Sequence, residues 1–371
     1  MITPKKASIE LQFNWLFVLI IGFVILLFFI GLTQSSKKAS QNSIDFTIKK
    51  SLNTIFTSFM VNPEDTVKTI ELPKTRIEFY CDYLTGASGY SIGKYTQDIK
   101  SDVFFSPNYI EGTTLTAWTM PWELPFFITN FLFVTSPNAR YIFVNDPHGM
   151  MQKLNSTLKD KRLREGSYVT LFNKQLIDPL DIVYDENNYR VKIIFIDGSP
   201  PENWPLVPDA LVDYDDIAVS ALNITPLAPL NNLNGWGKIT FYRKQGNRFL
   251  EENQTYYLGR ESLIGAIFSQ DAGMYLCSMR KALDRMSKVA LIYENRSKQM
   301  NRYLETAHGF DNSCKAFFYS AGQVYGEIAR TKCMNMSCVS KLYDLTLNKE
   351  NDNSLIRKNY YAIYHSCGPL Y

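Results

Sequence analysis

Hydrophobic positions near the start of the chain form one uninterrupted run. Residues 11–36 contain no charged side chain, and every position from Trp15 to Leu32 is apolar apart from two glycines. As an α-helix this run would rise about 27 Å, which is close to the hydrocarbon thickness of a bilayer. The apolar core of a cleaved signal peptide is shorter, about 7 to 15 residues, so we expect a retained membrane anchor bounded by Trp15 and Leu32. Small residues at Thr33 and Ser35 leave cleavage of a signal peptide as the alternative.

After the anchor, the hydrophobic period becomes that of an amphipathic helix. The apolar residues are Ile44, Ile48, Leu52, Ile55 and Phe59. Their spacing predicts one helix that continues from the membrane to about Phe59, where Asn62 and Pro63 end it. The apolar stripe has two interpretations, because it can pack on the protein's own domain or form a helix–helix assembly surface in an oligomer or filament.

Apolar runs in the middle of the chain predict strands. Residues 76–81 and 90–92 flank a glycine-containing turn, which indicates a hairpin. The apolar stretch 118–134 is interrupted by Pro121, Glu123 and Pro125. A buried helix or a pair of strands is therefore expected there rather than a second membrane span. Further strands are predicted at 141–144, 168–172, 191–196 and 217–222 and in a hairpin over 238–250, with helices at 149–158 and 208–212.

These elements predict an α/β fold behind an N-terminal transmembrane helix. Between Tyr141 and Tyr257 we expect a mixed sheet, for which a Rossmann-like strand order is one alternative. Beyond Ser262 the helical spacing of apolar residues predicts helices over 274–305, 317–328 and 355–363, which would form an all-α subdomain. The expected domains are a tail and transmembrane anchor at 1–36, an amphipathic stalk helix at 37–62, an α/β domain at 63–260 and a helical, cysteine-containing subdomain at 261–371.

Composition and charge narrow the classes of protein. Of the 371 residues, 46% are hydrophobic and 20% are charged, which excludes intrinsic disorder. The mean hydropathy of −0.16 excludes a polytopic transporter. The net charge of +3 arises at the membrane flanks, because residues 1–50 hold six lysines and two acids. No nucleic-acid-binding motif accompanies the basic residues of the helix predicted over 274–305, so we expect a solvated helix face and no nucleic-acid partner.

The cysteines bear on which side of the membrane the domain lies. The chain has six of them, Cys81, Cys277, Cys314, Cys333, Cys338 and Cys367. Disulfides persist outside the cytosol, so we expect oxidised pairs and an extracellular domain, although the flanking lysines slightly favour the cytoplasm. The short loop favours a disulfide between Cys333 and Cys338. A second disulfide between Cys277 and Cys367 is only a guess.

No motif reaches the level of a catalytic signature. Residues 86–95 approach a phosphate-binding loop, but Ser88 and Tyr95 replace the glycine and the hydroxyl residue that the motif requires, so a hairpin turn is expected. His148 follows a predicted strand, where a general base could lie, yet no nucleophile or orienting partner can be assigned to it.

One carboxylate cluster is dense enough to consider for a metal. It consists of Asp209, Asp213, Asp215 and Asp216. Converging oxygens bind hard cations such as Ca²⁺, but the glycine and the final glutamate of an EF-hand loop are missing. Solvated acids at a helix–strand junction explain the cluster more simply, so these residues are only weak candidates and we expect no cofactor.

The N-terminus resembles two groups of membrane proteins. The sequences KKASIE at 5–10 and LQFNWLFVLI at 11–20 look like the start of an uncharacterised archaeal family of single-span membrane proteins, and they are also similar to prepilin-type (class III) signals. By the second resemblance, processing would fall between Ala7 and Ser8, with Glu10 third in the mature chain where pilins usually carry it fifth. Five further segments of the chain also look like the archaeal family. They are FSP at 105–107, WTMPW at 118–122, PF at 125–126, VTSP at 134–137 and SC at 366–367.

Taken together, these features predict a single-pass, membrane-anchored cell-envelope protein with a large folded domain and a non-enzymatic role in interaction or assembly. Its expected partners are the lipid bilayer and, through the N-terminal helix, itself or other envelope proteins. The alternatives are a pilin-like filament subunit and a membrane-tethered enzyme that uses the α/β domain.

Overall fold

The computed structural model describes residues 7–61, 67–99, 102–144, 173–176, 189–196, 204–228, 235–306 and 312–371. A single helix, α1 (Ala7–Val61), runs through the predicted anchor and the predicted amphipathic segment without a break. It contains no proline and only two glycines, so nothing in its sequence interrupts the helical hydrogen bonds.

Six strands follow α1 and form the first sheet. They are β1 (Val67–Cys81), β2 (Ser88–Ile92), β3 (Tyr95–Asp98), β4 (Val103–Phe105), β5 (Tyr109–Glu123) and β6 (Phe127–Thr135). Their order is β3-β2-β1-β5-β6-β4, and all neighbours are antiparallel except β4 and β6. The apolar stretch 118–134 thus forms the central part of a strand pair, with the prolines at its turn and in a strand, and it does not form a helix.

A second sheet contains the other six strands of the described chain. They are β7 (Ala139–Val144), β8 (Asn173–Leu176), β9 (Arg190–Ile196), β10 (Val219–Ala228), β11 (Trp236–Gln245) and β12 (Arg248–Leu258). The order is β12-β11-β10-β9-β7-β8, in which β8, β7, β9 and β10 are parallel and β11 and β12 are antiparallel. The prediction of a mixed sheet is confirmed, whereas the helix predicted at 149–158 and the strand at 168–172 lie outside the described residues.

Where the structure describes it, the chain from residue 260 onward consists of helices joined by loops. The helices are α2 (Arg260–Phe268), α3 (Ala272–Thr306), α4 (Asn312–Arg330), α5 (Met336–Thr346) and α6 (Leu355–Tyr364). Asn335 and Ser354 cap α5 and α6, since each side chain accepts a hydrogen bond from a backbone amide of the first turn. The helix predicted at 208–212 is a single 3₁₀ turn, Asp209–Leu211.

Three hydrophobic clusters hold these layers together. The largest lies between one face of each sheet and the helices α2 to α6, with Trp118, Trp122 and Phe241 among its fully buried side chains. A second cluster packs α1 on the other face of the first sheet, and a third covers the outer face of the second sheet. The helices after residue 260 therefore share one core with both sheets.

The second half of α1, which follows the apolar run, packs on the folded domain. Ile48, Leu52 and Phe59 are at most 5% exposed against the first sheet. The hydroxyl of Tyr90 donates a hydrogen bond to the Lys49 carbonyl oxygen at 2.9 Å, which ties β2 to the helix. The apolar stripe thus packs on its own domain, which is the first of its two interpretations.

Candidate functional site

The exposed part of α1 is a feature that the rest of the fold does not explain. The helix Trp15–Met60 includes a window of mean hydropathy 3.1 of which no part is buried, and it is the one helix of the described chain that is long and apolar enough to cross a membrane. Trp15 and Leu32, at the ends of the apolar run, are 74% and 50% exposed. An exposed apolar surface of this length is typical of segments that contact lipid or another apolar partner.

All six cysteines are joined in pairs. Cys81 bonds Cys277, Cys314 bonds Cys367 and Cys333 bonds Cys338, with Cα–Cα distances of 5.8, 5.3 and 5.8 Å. The guess that Cys277 pairs with Cys367 is wrong. Cys277 lies in the second turn of α3 against the end of β1, whereas Cys367 follows α6 and meets the start of α4.

Two of these disulfides flank a groove with a volume of about 540 Å³, which we call the disulfide groove. Its walls are the turn after β1 at Tyr83, the edge strand β12 at Gln254 and Thr255, one face of α3 from 276 to 283, and the loop 332–335. Small-molecule sites typically enclose roughly 300–1,000 Å³. The groove is thus large enough for a small ligand.

Local hydrogen bonds shape the turn that carries Tyr83. The carboxylate of Asp82 accepts from the Leu84 amide at 2.9 Å and from the Thr85 hydroxyl at 2.6 Å, and Gly86 closes the turn with a φ of +71°. The hydrogen bond from Thr85 lowers the pKa of Asp82, with the Leu84 amide acting in the same direction. Tyr83 remains 45% exposed at the rim of the groove.

The polar side chains of the groove have unused hydrogen-bonding capacity. The amide nitrogen of Gln254 donates to Glu251 at 2.8 Å, and Oδ1 of Asn335 accepts from the Cys338 amide at 3.0 Å. Among the described residues, the other end of each amide has no hydrogen-bond partner. Thr255 is 1% exposed, and its Oγ1 has no hydrogen-bond partner within the described part of the chain. A buried hydroxyl without a partner costs free energy, so Thr255 is a locally unfavourable feature of this wall.

The charge of the groove is positive. Arg280 and Lys332 line it, and none of its lining residues is acidic. Arg280 donates to the carbonyl oxygen of Tyr83 at 2.8 Å, with its guanidinium carbon 5.7 Å from the centroid of that ring. Lys332 lies 3.7 Å from Asp284, but both side chains are more than half exposed, so this ion pair is weak.

The disulfides fix the walls of the groove relative to one another. Cys81 and Cys277 bring the Tyr83 turn against α3, where Leu276 and Arg280 face the groove. The bond from Cys333 to Cys338 closes the loop that carries Met334 and Asn335. A site constrained in this way loses little conformational entropy when a ligand binds.

The acidic cluster does not form a metal site in the structure. Asp216 accepts from Nζ of Lys244 at 3.0 Å and from the Gly246 amide at 3.1 Å, which stabilises the turn between β11 and β12 and lowers the pKa of Asp216. Asp213 and Asp215 are exposed, and Asp209 begins the 3₁₀ turn. Across the described ranges, no group of three His, Cys, Asp or Glu residues could hold a metal ion.

The other sequence candidates have structural roles or fall outside the description. Residues 86–95 form the turn before β2, β2 itself and the start of β3, as expected from their failure to match a phosphate-binding loop. His148 lies outside the described residues. On α3, Lys281 donates to Ser88 and to the Ile99 carbonyl oxygen, and Arg285 donates to Thr129, so part of its basic face binds the protein's own strands.

Sequence reasoning missed the disulfide groove. Its residues come from four segments that are far apart in the chain, and none of the four carries a motif. The single local signal is proximity to cysteines, because Tyr83, Leu276 and Met334 each lie within two positions of one. Comparison with protein-family models, with curated proteins and with solved structures gives no match.

Proposed function

We propose that this chain is a single-pass, membrane-anchored protein of the cell envelope, whose folded domain lies outside the cytosol and has a non-enzymatic role in interaction. One observation carries the proposal: an exposed apolar helix continues directly into a domain in which all six cysteines are paired. The helix supplies the anchor, and the disulfides favour an oxidising compartment. The partners that we propose are the bilayer and a second component of the envelope.

Surface labelling of intact cells tests this topology. A membrane-impermeant amine reagent should label lysines of the domain, such as Lys332 and Lys341, which are about half exposed. Lys5 and Lys6, on the other side of the anchor, should be labelled only after permeabilisation. Tryptic mapping distinguishes the two groups of peptides, and domain lysines that are protected until the cells are opened would contradict the proposal.

A pilin-like filament subunit is the second candidate. The observation in its favour is the division of α1, whose apolar first half is exposed while its second half packs on an antiparallel sheet. It also agrees with the resemblance of residues 5–20 to prepilin signals and to the archaeal single-span family. N-terminal sequencing of the mature protein decides the matter, since a chain that begins at Ser8 supports processing and an intact N-terminus rules it out.

A membrane-tethered enzyme is the third candidate, and it depends on a Rossmann-like interpretation of the second sheet. The four parallel strands have the order β8-β7-β9-β10, so the strand order reverses between β7 and β9. Ligands of doubly wound sheets bind at such a switch point. In this scheme the helices over 261–371 would act as an all-α subdomain. Thermal unfolding with a panel of nucleotides and dinucleotides tests it: a stabilised chain supports the idea and an unchanged melting temperature contradicts it.

A further inference from the structure

The disulfide groove combines features that select a particular class of ligand. We propose that it binds an acidic saccharide, a sugar ring with free hydroxyls and a carboxylate. The inference rests on the proposed placement of the domain outside the cytosol, where envelope glycans are found. It names the partner that the proposed interaction role leaves open.

Hydroxyl recognition comes from two amide side chains in the groove, Gln254 and Asn335. The free oxygen of the Gln254 amide accepts a hydrogen bond, and the free nitrogen of the Asn335 amide donates one. A sugar hydroxyl is itself both donor and acceptor, so it can satisfy each of these groups.

Contact with the sugar ring comes from the apolar and aromatic members of the groove. Tyr83 exposes part of its ring at the rim, and Leu276 and Met334 lie on the same groove surface. The C–H face of a pyranose is apolar and packs well on an aromatic ring. Arg280 donates a hydrogen bond to the backbone oxygen of Tyr83, which fixes the turn that carries the tyrosine ring.

The acidic group of the ligand is selected by charge. Arg280 and Lys332 both line the groove, which has no acidic lining residue. A guanidinium binds a carboxylate through paired hydrogen bonds, and such charge-assisted bonds are stronger than neutral ones. A neutral sugar gains no charge-assisted hydrogen bond from Arg280 or Lys332 and is expected to bind more weakly.

Titration calorimetry of the detergent-solubilised full chain tests the proposal. The probes are a disaccharide that contains glucuronate and the glucose disaccharide of the same linkage. The uronate is expected to bind at least tenfold more tightly than its neutral counterpart. Equal affinities, or no binding of either sugar to a chain with a cooperative melting transition, would overturn the proposal.

Variants separate the roles of the side chains. Arg280→Gln and Lys332→Gln are each expected to weaken binding of the uronate several-fold more than binding of the neutral sugar. Tyr83→Ala is expected to weaken both sugars, because the ring contacts the apolar face that the two sugars share. The matched control is Arg302→Gln, because Arg302 is an exposed residue of α3 outside the groove. An Arg280→Gln variant that melts like the wild type and binds the uronate equally well would overturn the assignment.

The outcomes distinguish this inference from the proposed function. If labelling places the domain outside while neither sugar binds, the ligand assignment fails and the anchored envelope protein stands. If the domain is cytosolic, the proposed function fails, whatever the purified chain binds. A glutamate-rich peptide serves as the competing probe, and tighter binding of that peptide than of the uronate would also overturn the saccharide assignment.

Discussion

At the scale of single residues, Gly93 marks the place where the turn between β2 and β3 meets α1. Its φ is +54°, a left-handed conformation that residues with a Cβ seldom adopt. A Cβ added there would collide with the carboxylate of Asp45, which is 5% exposed and accepts a hydrogen bond from Gln41 at 2.8 Å. The position therefore combines a backbone constraint with a close approach of the helix.

The substitution Gly93→Ala tests this contact, with Gly86→Ala as the matched control. Both glycines have positive φ, but a Cβ on Gly86 meets nothing within 4 Å. We expect the control to lose about 1 kcal/mol of unfolding free energy through backbone strain alone. Gly93→Ala should lose roughly 2–3 kcal/mol, because Asp45 must also move. Denaturant unfolding of both variants measures the difference, and equal losses would contradict the contact.

Lys192 on β9 makes the stability of the domain depend on pH. Its side chain is buried, and Nζ donates to the carbonyl oxygens of Ala266 and Ser269, at 2.9 and 2.5 Å, at the end of α2. Burial lowers the pKa of Lys192 to about 7, while a lysine in the unfolded chain titrates near ~10.4. Between these values the unfolded chain binds more protons than the folded one, so the unfolding free energy should rise with pH.

We therefore expect the unfolding free energy to increase from about pH 7 to pH 9, and the slope to decrease in Lys192→Met. Part of the slope should remain, because burial also lowers the pKa of Lys281 to about 8. Denaturant titrations of the wild type and the variant at several pH values provide the measurement. A variant with the slope of the wild type would show that Lys192 keeps its proton throughout this range.

At the scale of elements, α1 combines an exposed apolar first half with a packed second half, and the change occurs near Asp45. Leu52 is fully buried against the first sheet, whereas Ile44, two turns earlier, is 36% exposed. We expect Leu52→Ala to cost about 2–5 kcal/mol and to expose β2 and β6 to protease. Ile44→Ala should cost less than about 1 kcal/mol on the same helix. Comparable losses in the two variants would contradict the docking of α1.

The three disulfides close loops of very different length, so we expect them to contribute differently to the free energy of unfolding. Cys81 and Cys277 are 196 residues apart in the chain, whereas Cys333 and Cys338 are five apart. By the chain-entropy account, replacing the first pair with alanines should cost about 5 kcal/mol and replacing the second about 2 kcal/mol. Thermal unfolding of the two double variants compares them, and a larger loss from the short loop would contradict the ranking.

Periodicity predicted most elements, because a strand or helix that packs on one face leaves its pattern in the local sequence. The strand at 191–196, the hairpin over 238–250 and the helix over 274–305 were found from such patterns. The division of 67–258 into two sheets was not, since the pairing of β1 with β5 joins residues up to about fifty positions apart. Strand order and cysteine pairing depend on long-range contacts for which a single sequence carries no local signal.

At the scale of the whole molecule, the exposed apolar helix was predictable from the sequence and the candidate binding site was not. The length of an uncharged apolar run is enough to predict a membrane-spanning helix, so Trp15 and Leu32 could be assigned as its ends from the sequence. The disulfide groove exists only after β12, α3 and two loops have come together. Tyr83 and Arg280 are far apart in the chain, and they line the same groove because the fold brings them together.

The central claim is that one chain combines a membrane anchor with an oxidised domain outside the cytosol. The most direct test is to count free thiols by mass spectrometry, after alkylating the denatured, unreduced protein isolated from its native membrane. Because all six cysteines are paired, the account predicts no alkylated cysteine, and six only after reduction. Six alkylated cysteines without reduction would contradict the oxidised domain and, with it, its placement outside the cytosol.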